Sequence, residues 1–416
     1  MRRPLDVPEE FWTRILPVWR KEPLVERHPF APPFEEEDVW DGWKRCGAAV
    51  LAGARDVPLR FYRGTAQAPD PARYVPRAED PTFEAWLSRL AAEHGEREWG
   101  FNLSNPQAWS GPVFRRLLSF LDRLYRKTGF ARGGAVPDLF FMNHARSFFG
   151  LHKDAQDVIT FVISGTRRYL LWPFDAFAAE AGLAADAGLA PSRLPDVDWT
   201  RHRERAVVVE AEAGDVIYWP AEWWHAGEST GAPGLTIAVG IVHFANPLRH
   251  VARAAEAIGQ LVAKETAPLP APDGSGFEAT VDADLDWTRR LASDDALAEE
   301  LRRDVRAWVT RAGLPKIPAV RAGLPVPRDG DTVTLTSRSA LAFRRENGVI
   351  RCWAAGRDLV VPERAGLVAM LERLTSGGVF VVGELVALVP EASRTAAREL
   401  IGTLESFHAV ERPERA

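Results

Sequence analysis

Between residues 136 and 246 the chain holds five short apolar runs: PDLFFMNHA, DVITFVISG, RRYLLWPF, RAVVVEAEAGDVIYWP and LTIAVGIVHF. They are rich in Val, Ile, Phe, Tyr and Trp, whose branched or aromatic side chains suit a pleated surface, and Gly, Asp and Pro separate them. Five such runs at close spacing predict a β-sandwich or jelly roll. This is the constraint around which the rest of the chain must be arranged.

Residues 1–135 read as a mixed, mainly helical part. FWTRILPVW places Phe11, Trp12, Ile15 and Val18 on one helical face. Pro81–Glu93 starts on a proline and steps its apolar residues by three and four. Gly111–Gly129 is an amphipathic helix with a glycine just past its end. Between these helices, AAVLAGA and PLRFYRG read as short strands. A helix, NPLRHVARAAEAIGQLVAKE, follows the β region, and then a Pro/Gly-rich link, APLPAPDGSG. Past a further helical segment and a second Pro-rich link, Asn347-Gly348 marks a two-residue hairpin turn. Three helical patterns and a short extended piece end the chain, as in a winged helix. The expected units are 1–135, a β core at 136–266, a helical linker at 267–330 and a hairpin plus winged-helix-like module at 331–416.

The 416 residues and 46% apolar content are ordinary for a soluble protein able to bury a core. A net charge of −5 argues against broad capture of nucleic acid. From Pro362 onward eight acidic residues face six basic ones, so the tail reads as a protein-binding rather than a nucleic-acid-binding unit. Two distant cysteines, Cys46 and Cys352, make no framework. No apolar run approaches the roughly 18 residues that cross a bilayer, and no secretory leader precedes Phe11, so the expected location is the cytoplasm.

The chemistry gathers at FFGLHKDAQDVITFVISG and GDVIYWPAEWWHAGE. Residues i and i+2 of a strand point the same way, so His152 and Asp154 aim an imidazole and a carboxylate at one point. His225 lies 71 positions beyond Asp154, enough chain for several strands to return to the same cavity. The sequence reading delivers it on a short loop after the strand VIYWP. Two histidines and one carboxylate are the facial set of non-haem Fe(II) oxygenases, which leaves positions for a chelating cosubstrate and O2. Lys153 points away by alternation. Asp157 reads as a partner of a nearby cation or backbone group, and His144, His202 and His243 read as structural. Trp219 reads as packing around His225.

These stretches resemble the JmjC/cupin-type Fe(II)- and 2-oxoglutarate-dependent oxygenases, closest to the bacterial cupin-like ribosomal oxygenase branch. The resemblance is specific over residues 140–245. It implies a double-stranded β-helix core with Fe(II) on His152, Asp154 and His225, with 2-oxoglutarate as cosubstrate and O2 as oxidant. In that family a basic residue fifteen positions after the first metal histidine holds the cosubstrate's far carboxylate. Here that residue is Arg167, and a guanidinium can grip a carboxylate through two bonds. Arg168 faces the opposite way in a regular strand. Asn143 and Ser147 are further candidates for cosubstrate contact.

The resemblance also implies hydroxylation of a protein or peptide side chain, with release of succinate and CO2. It makes residues 282–312 the candidate surface for a homodimer. Two other readings stay open. A cupin enzyme acting on a small metabolite would carry a histidine where Asp154 stands. A non-catalytic binding module would have lost a ligand or the cosubstrate cation.

Overall fold

The computed structural model describes residues 5–64, 66–94, 99–143, 149–182, 191–194, 196–228, 234–244, 248–262, 289 and 295–413. Nineteen strands lie among them. Two antiparallel sheets form the centre. The larger contains β1 (Leu24–Glu26), β2 (Leu59–Arg63), β3 (Ala66–Gln67), β4 (Trp99–Ser104), β5 (Gly134–Met142), β7 (Asp157–Ser164), β11 (Val216–Trp219) and β13 (Gly234–Val242). Its strand order is β1-β11-β7-β13-β5-β4-β2-β3. The smaller, ordered β10-β8-β12-β6-β9, uses β6 (Leu151–Lys153), β8 (Thr166–Trp172), β9 (Ser192–Leu194), β10 (Val207–Glu212) and β12 (Trp224–Glu228). The two face each other as a jelly roll without closing into a barrel.

Alternation along each strand sorts the side chains into three apolar layers. Between the sheets lie Val158, Val162, Leu171, Val209, Ile217, Trp219 and Ala238. The outer face of the small sheet carries Leu151, Leu170, Trp172 and Trp224 under Phe177 and Trp199. The outer face of the large sheet is covered by α1 (Glu9–Val18), α2 (Glu36–Leu51), α3 (Phe83–His94) and α4 (Gly111–Thr128). There Trp43 stacks on Phe101 with ring centroids 4.5 Å apart, and Trp86 meets both edge-on. Each such pair adds about 0.5–1.5 kcal/mol beyond the area it buries.

Local sequence explains the element ends. Ser110 caps α4 by accepting from the Val113 amide at 3.3 Å, and Gly129 ends it at a positive φ of 82°. AAVLAGA, expected as a strand, forms the end of α2 instead. Its apolar residues continue the helical row Val39, Trp43, Cys46 and Val50, and Gly47 lets the helix pass within contact of Pro76. The sequence reading also missed β12, whose residues WHAGE include only one strongly β-favouring side chain.

Beyond the jelly roll, α5 (Leu248–Val262) packs on α6 (Asp295–Thr310). Trp308 of α6 and Gly313 press on Gly134 at the start of β5. The expected hairpin forms: β15 (Leu341–Glu346) turns through Asn347 and Gly348, both at positive φ, into β16 (Val349–Ala354), with β17 (Arg357–Pro362) beside it. The last helices, α7 (Leu367–Thr375), α8 (Val382–Ala387) and α9 (Arg394–Ser406), pack on β14 (Thr332–Leu335), β18 (Val379–Val381) and β19 (Val410–Glu411). No helix among the described residues is long and apolar enough to cross a membrane.

Candidate metal centre

His152 sits on β6 directly opposite His225 on β12, so strand pairing alone places the two rings together, with centroids 4.1 Å apart. Asp154 follows β6 by one residue and turns to the same side; its Oδ2 lies 3.5 Å from His225 Nε2. One ligand atom from each of the three falls within 4.8 Å of the others. His225 is therefore delivered by a strand, not by the expected loop.

Both imidazoles are held in one tautomer. His152 Nδ1 donates to the Gly150 carbonyl at 3.0 Å, and His225 Nδ1 donates to the Trp223 carbonyl at 3.3 Å. Each Nε2 is left as a lone pair facing the centre, the arrangement a metal ligand needs. Burial and the neighbouring His152 push the His225 pKa down to about 3. The ring is thus neutral at physiological pH, and its contact with Asp154 is not an ion pair. Two imidazoles and a carboxylate suit a divalent ion with bonds of about 2 Å.

The site opens into a cavity of about 460 Å3 between the sheets. One wall is apolar, with Phe140, Met142, Phe149 and Trp219. Trp219 packs 5.1 Å from the His225 ring and also lines the cavity. Trp224 points to the other face of its sheet and donates to the Phe174 carbonyl. Another wall carries a polar group that single-sequence reasoning missed. Asp138 accepts from Ser104 Oγ at 2.5 Å and from Asn102 Nδ2 at 3.2 Å, and burial raises its pKa. Only strand register brings Asn102, Ser104 and Asp138 together, so no motif could announce them.

Arg167 points inward from β8, 2% exposed, and Nη2 donates to the Gly234 carbonyl at 2.9 Å. Its Nε and Nη1 have no hydrogen-bond partner. It lies deeper than the open cavity, two residues along β8 from Tyr169, which lines it. Arg168 takes the outer face, bonded to Glu210 and near Glu228, as alternation requires. Lys153 also points away, with Nζ 5.3 Å from the Phe174 ring. Asp157 receives His243 Nε2 at 2.6 Å and the Ala221 amide at 2.9 Å, a structural pairing. His202 packs on Phe177. Asn143 is half-buried next to β5, and its amide donates to the Trp99 carbonyl. Ser147 and His144 lie outside the described residues.

Comparison with known proteins bears on the fold. Residues 66–244 match the family described as the cupin-like domain. A search of curated protein sequences gave no match. Among solved structures, ycfD of E. coli aligns with a TM-score of 0.51 at 16% identity, over 97% of this chain and 98% of that one. A structure of YcfD described as a ribosomal oxygenase from Escherichia coli, in complex with cobalt and 2-oxoglutarate, aligns at TM-score 0.49 and 15% identity, over 97% of each chain. At 16% identity the likeness to ycfD is one of fold, extending beyond residues 66–244 over nearly the whole chain.

Proposed function

We propose that the protein is an Fe(II)- and 2-oxoglutarate-dependent oxygenase that hydroxylates a side chain of a protein or peptide. The observation that carries this reading is the meeting of His152, Asp154 and His225, with both Nδ1 atoms committed to carbonyls, on the inner face shared with a buried and partly unbonded Arg167. The donor set fits the ion: two imidazole nitrogens and one carboxylate oxygen, grouped on one side. Bound there, Fe(II) would supply the chemistry that couples O2 and 2-oxoglutarate decarboxylation to hydroxylation of a C–H bond, releasing succinate and CO2.

The chain's own residues orient and exclude. Gly150 and Trp223 fix the imidazoles through their carbonyls. Arg167, with Nε and Nη1 unbonded, would hold and neutralise the far carboxylate of 2-oxoglutarate. Trp219, Phe140 and Phe149 keep the cavity apolar and limit water beside the reacting carbon. Asp138 offers an acceptor to the donor group of an entering side chain. No side chain need act as general base.

The test is succinate formation from 2-oxoglutarate by the purified chain, with and without Fe(II), followed by mass spectrometry of candidate peptides. Iron-dependent succinate and a one-oxygen mass gain on a peptide support the proposal. Absence of succinate from iron-loaded protein with any peptide removes it.

A further inference from the structure

The cavity is entered past two arginines. Arg60 of β2 and Arg193 of β9 are both exposed, yet both line the cavity, so they stand at its mouth. Strand register puts them there. Arg193 pairs with His152, which pairs on its other side with His225, so the three side chains form one row on the inner face of the small sheet. Arg60 pairs with Asn102 of β4, whose amide donates to Asp138 of β5, so Arg60 belongs to the inner face of the larger sheet. Neither arginine makes an ion pair among the described residues. The carboxylates that line the cavity are already engaged: Asp138 accepts from Ser104 and Asn102, and Asp154 belongs to the metal centre.

Two aromatic rings gather the arginines at one place. Arg193 Cζ lies 5.0 Å from the centre of the Phe149 ring, and that ring is 5.6 Å from the His152 ring. Phe149 also meets Tyr62 at 5.8 Å, and Arg60 donates to the Tyr62 hydroxyl. Both guanidinium charges act on that phenol, so the two sheets bring them to the same small region. A cation over a ring is held without being neutralised, and two like charges brought together favour an anion between them. Such an anion lies two ring contacts from His152, a span that an extended chain covers in about three residues at roughly 3.3–3.6 Å each. Two cations on a chain of net charge −5 fit a single carboxylate on a peptide better than a nucleic acid, which needs a wider basic face.

We propose that Arg60 and Arg193 select peptides that carry Asp or Glu within about three residues of the side chain entering the cavity. This rests on the reading above, and it names the class of peptide that the site takes. The arginines bind and orient the peptide and take no part in the chemical step.

The test selects short random peptides by display on the full chain incubated with Mn(II) and 2-oxoglutarate, and sequences the bound pool. The pool is enriched in Asp and Glu. Replacing the enriched acidic residue of a selected peptide by Asn or Gln weakens binding to wild type by about tenfold, as expected for lost bonds to a charged group, and by less at high salt. The same change in the peptide has no effect on the double variant Arg60→Gln/Arg193→Gln, and Arg60→Lys/Arg193→Lys restores part of the discrimination. A purely structural role for the arginines would weaken both peptides alike, and that result overturns the proposal. So does a pool without acidic enrichment, the failure to select any peptide, an acidic preference that persists in the double glutamine variant, or tighter binding of a short single-stranded RNA than of any selected peptide. Acidic peptides that bind through both arginines but neither raise iron-dependent succinate formation nor gain oxygen leave this assignment standing and overturn the reading beneath it.

Discussion

The two imidazoles at the candidate metal centre differ in how they were readable. His152 stands in the short pattern His-x-Asp, whereas His225 follows an unrelated aromatic strand, and only antiparallel pairing of β6 with β12 joins them. Removing the carboxylate is the sharpest change: Asp154→Ala should lower iron-dependent succinate formation by more than about 100-fold, beyond the usual loss from an outer supporting residue, while the fold persists. Steady-state assays with matched circular dichroism check this. Acid sensitivity belongs to two buried histidines. Burial holds His225 at about 3, and burial with the charges of Arg115, Arg321 and Arg357 nearby holds His408 at about 4, both below the ordinary 6.5. In the unfolded chain each takes up a proton as pH drops below 6.5, while the folded chain refuses it. Stability of the metal-free protein is therefore full above that pH and falls by about 1.4 kcal/mol per pH unit for each histidine until the folded values are reached. Thermal unfolding from pH 7 to 4.5 reads the slope, and His408→Asn should reduce it. Arg167 was singled out through the family resemblance rather than from the residues alone. Asp138 was not legible, because one polar residue inside a β run carries no spacing signal until register is known.

At the scale of elements, strong periodicity and turn chemistry were sufficient. The β runs, α4 and the Asn347-Gly348 hairpin formed where the sequence put them. The misses were segments whose local preference is weak. WHAGE becomes β12 because β8 and β6 pair with it on both sides, and AAVLAGA stays helical because its apolar row continues that of α2. The junction of β5 with α6 gives a test. Gly134 has φ of 78°, and an added Cβ would lie 2.1 Å from the Gly313 carbonyl oxygen and 2.4 Å from the Trp308 ring. Gly134→Ala should cost about 2–4 kcal/mol from the left-handed backbone and the overpacking combined. A urea unfolding midpoint equal to that of wild type would contradict this packing account.

For the molecule as a whole, one apolar cluster runs from Leu5 through the N-terminal helices and the outer face of the large sheet to Val410. His408 reaches back to Arg115 of α4 and to the Ala319 carbonyl, and the Ser339 amide donates to Asp122 of α4. The C-terminal module is thus tied to the N-terminal helices rather than suspended from a linker. Calorimetric unfolding should show one main transition shared by the jelly roll and the module, and a separate transition for the module would contradict the shared core. The sequence marked the module's helices and turn but not this docking, which depends on contacts between residues some 300 positions apart.

The most direct measurement is a crystal grown with Mn(II) and 2-oxoglutarate, examined for anomalous scattering from manganese. The account predicts one peak bonded to His152 Nε2, an Asp154 carboxylate oxygen and His225 Nε2, with the keto acid's far carboxylate against Arg167. A peak elsewhere, or a keto acid that leaves Arg167 untouched, would contradict it.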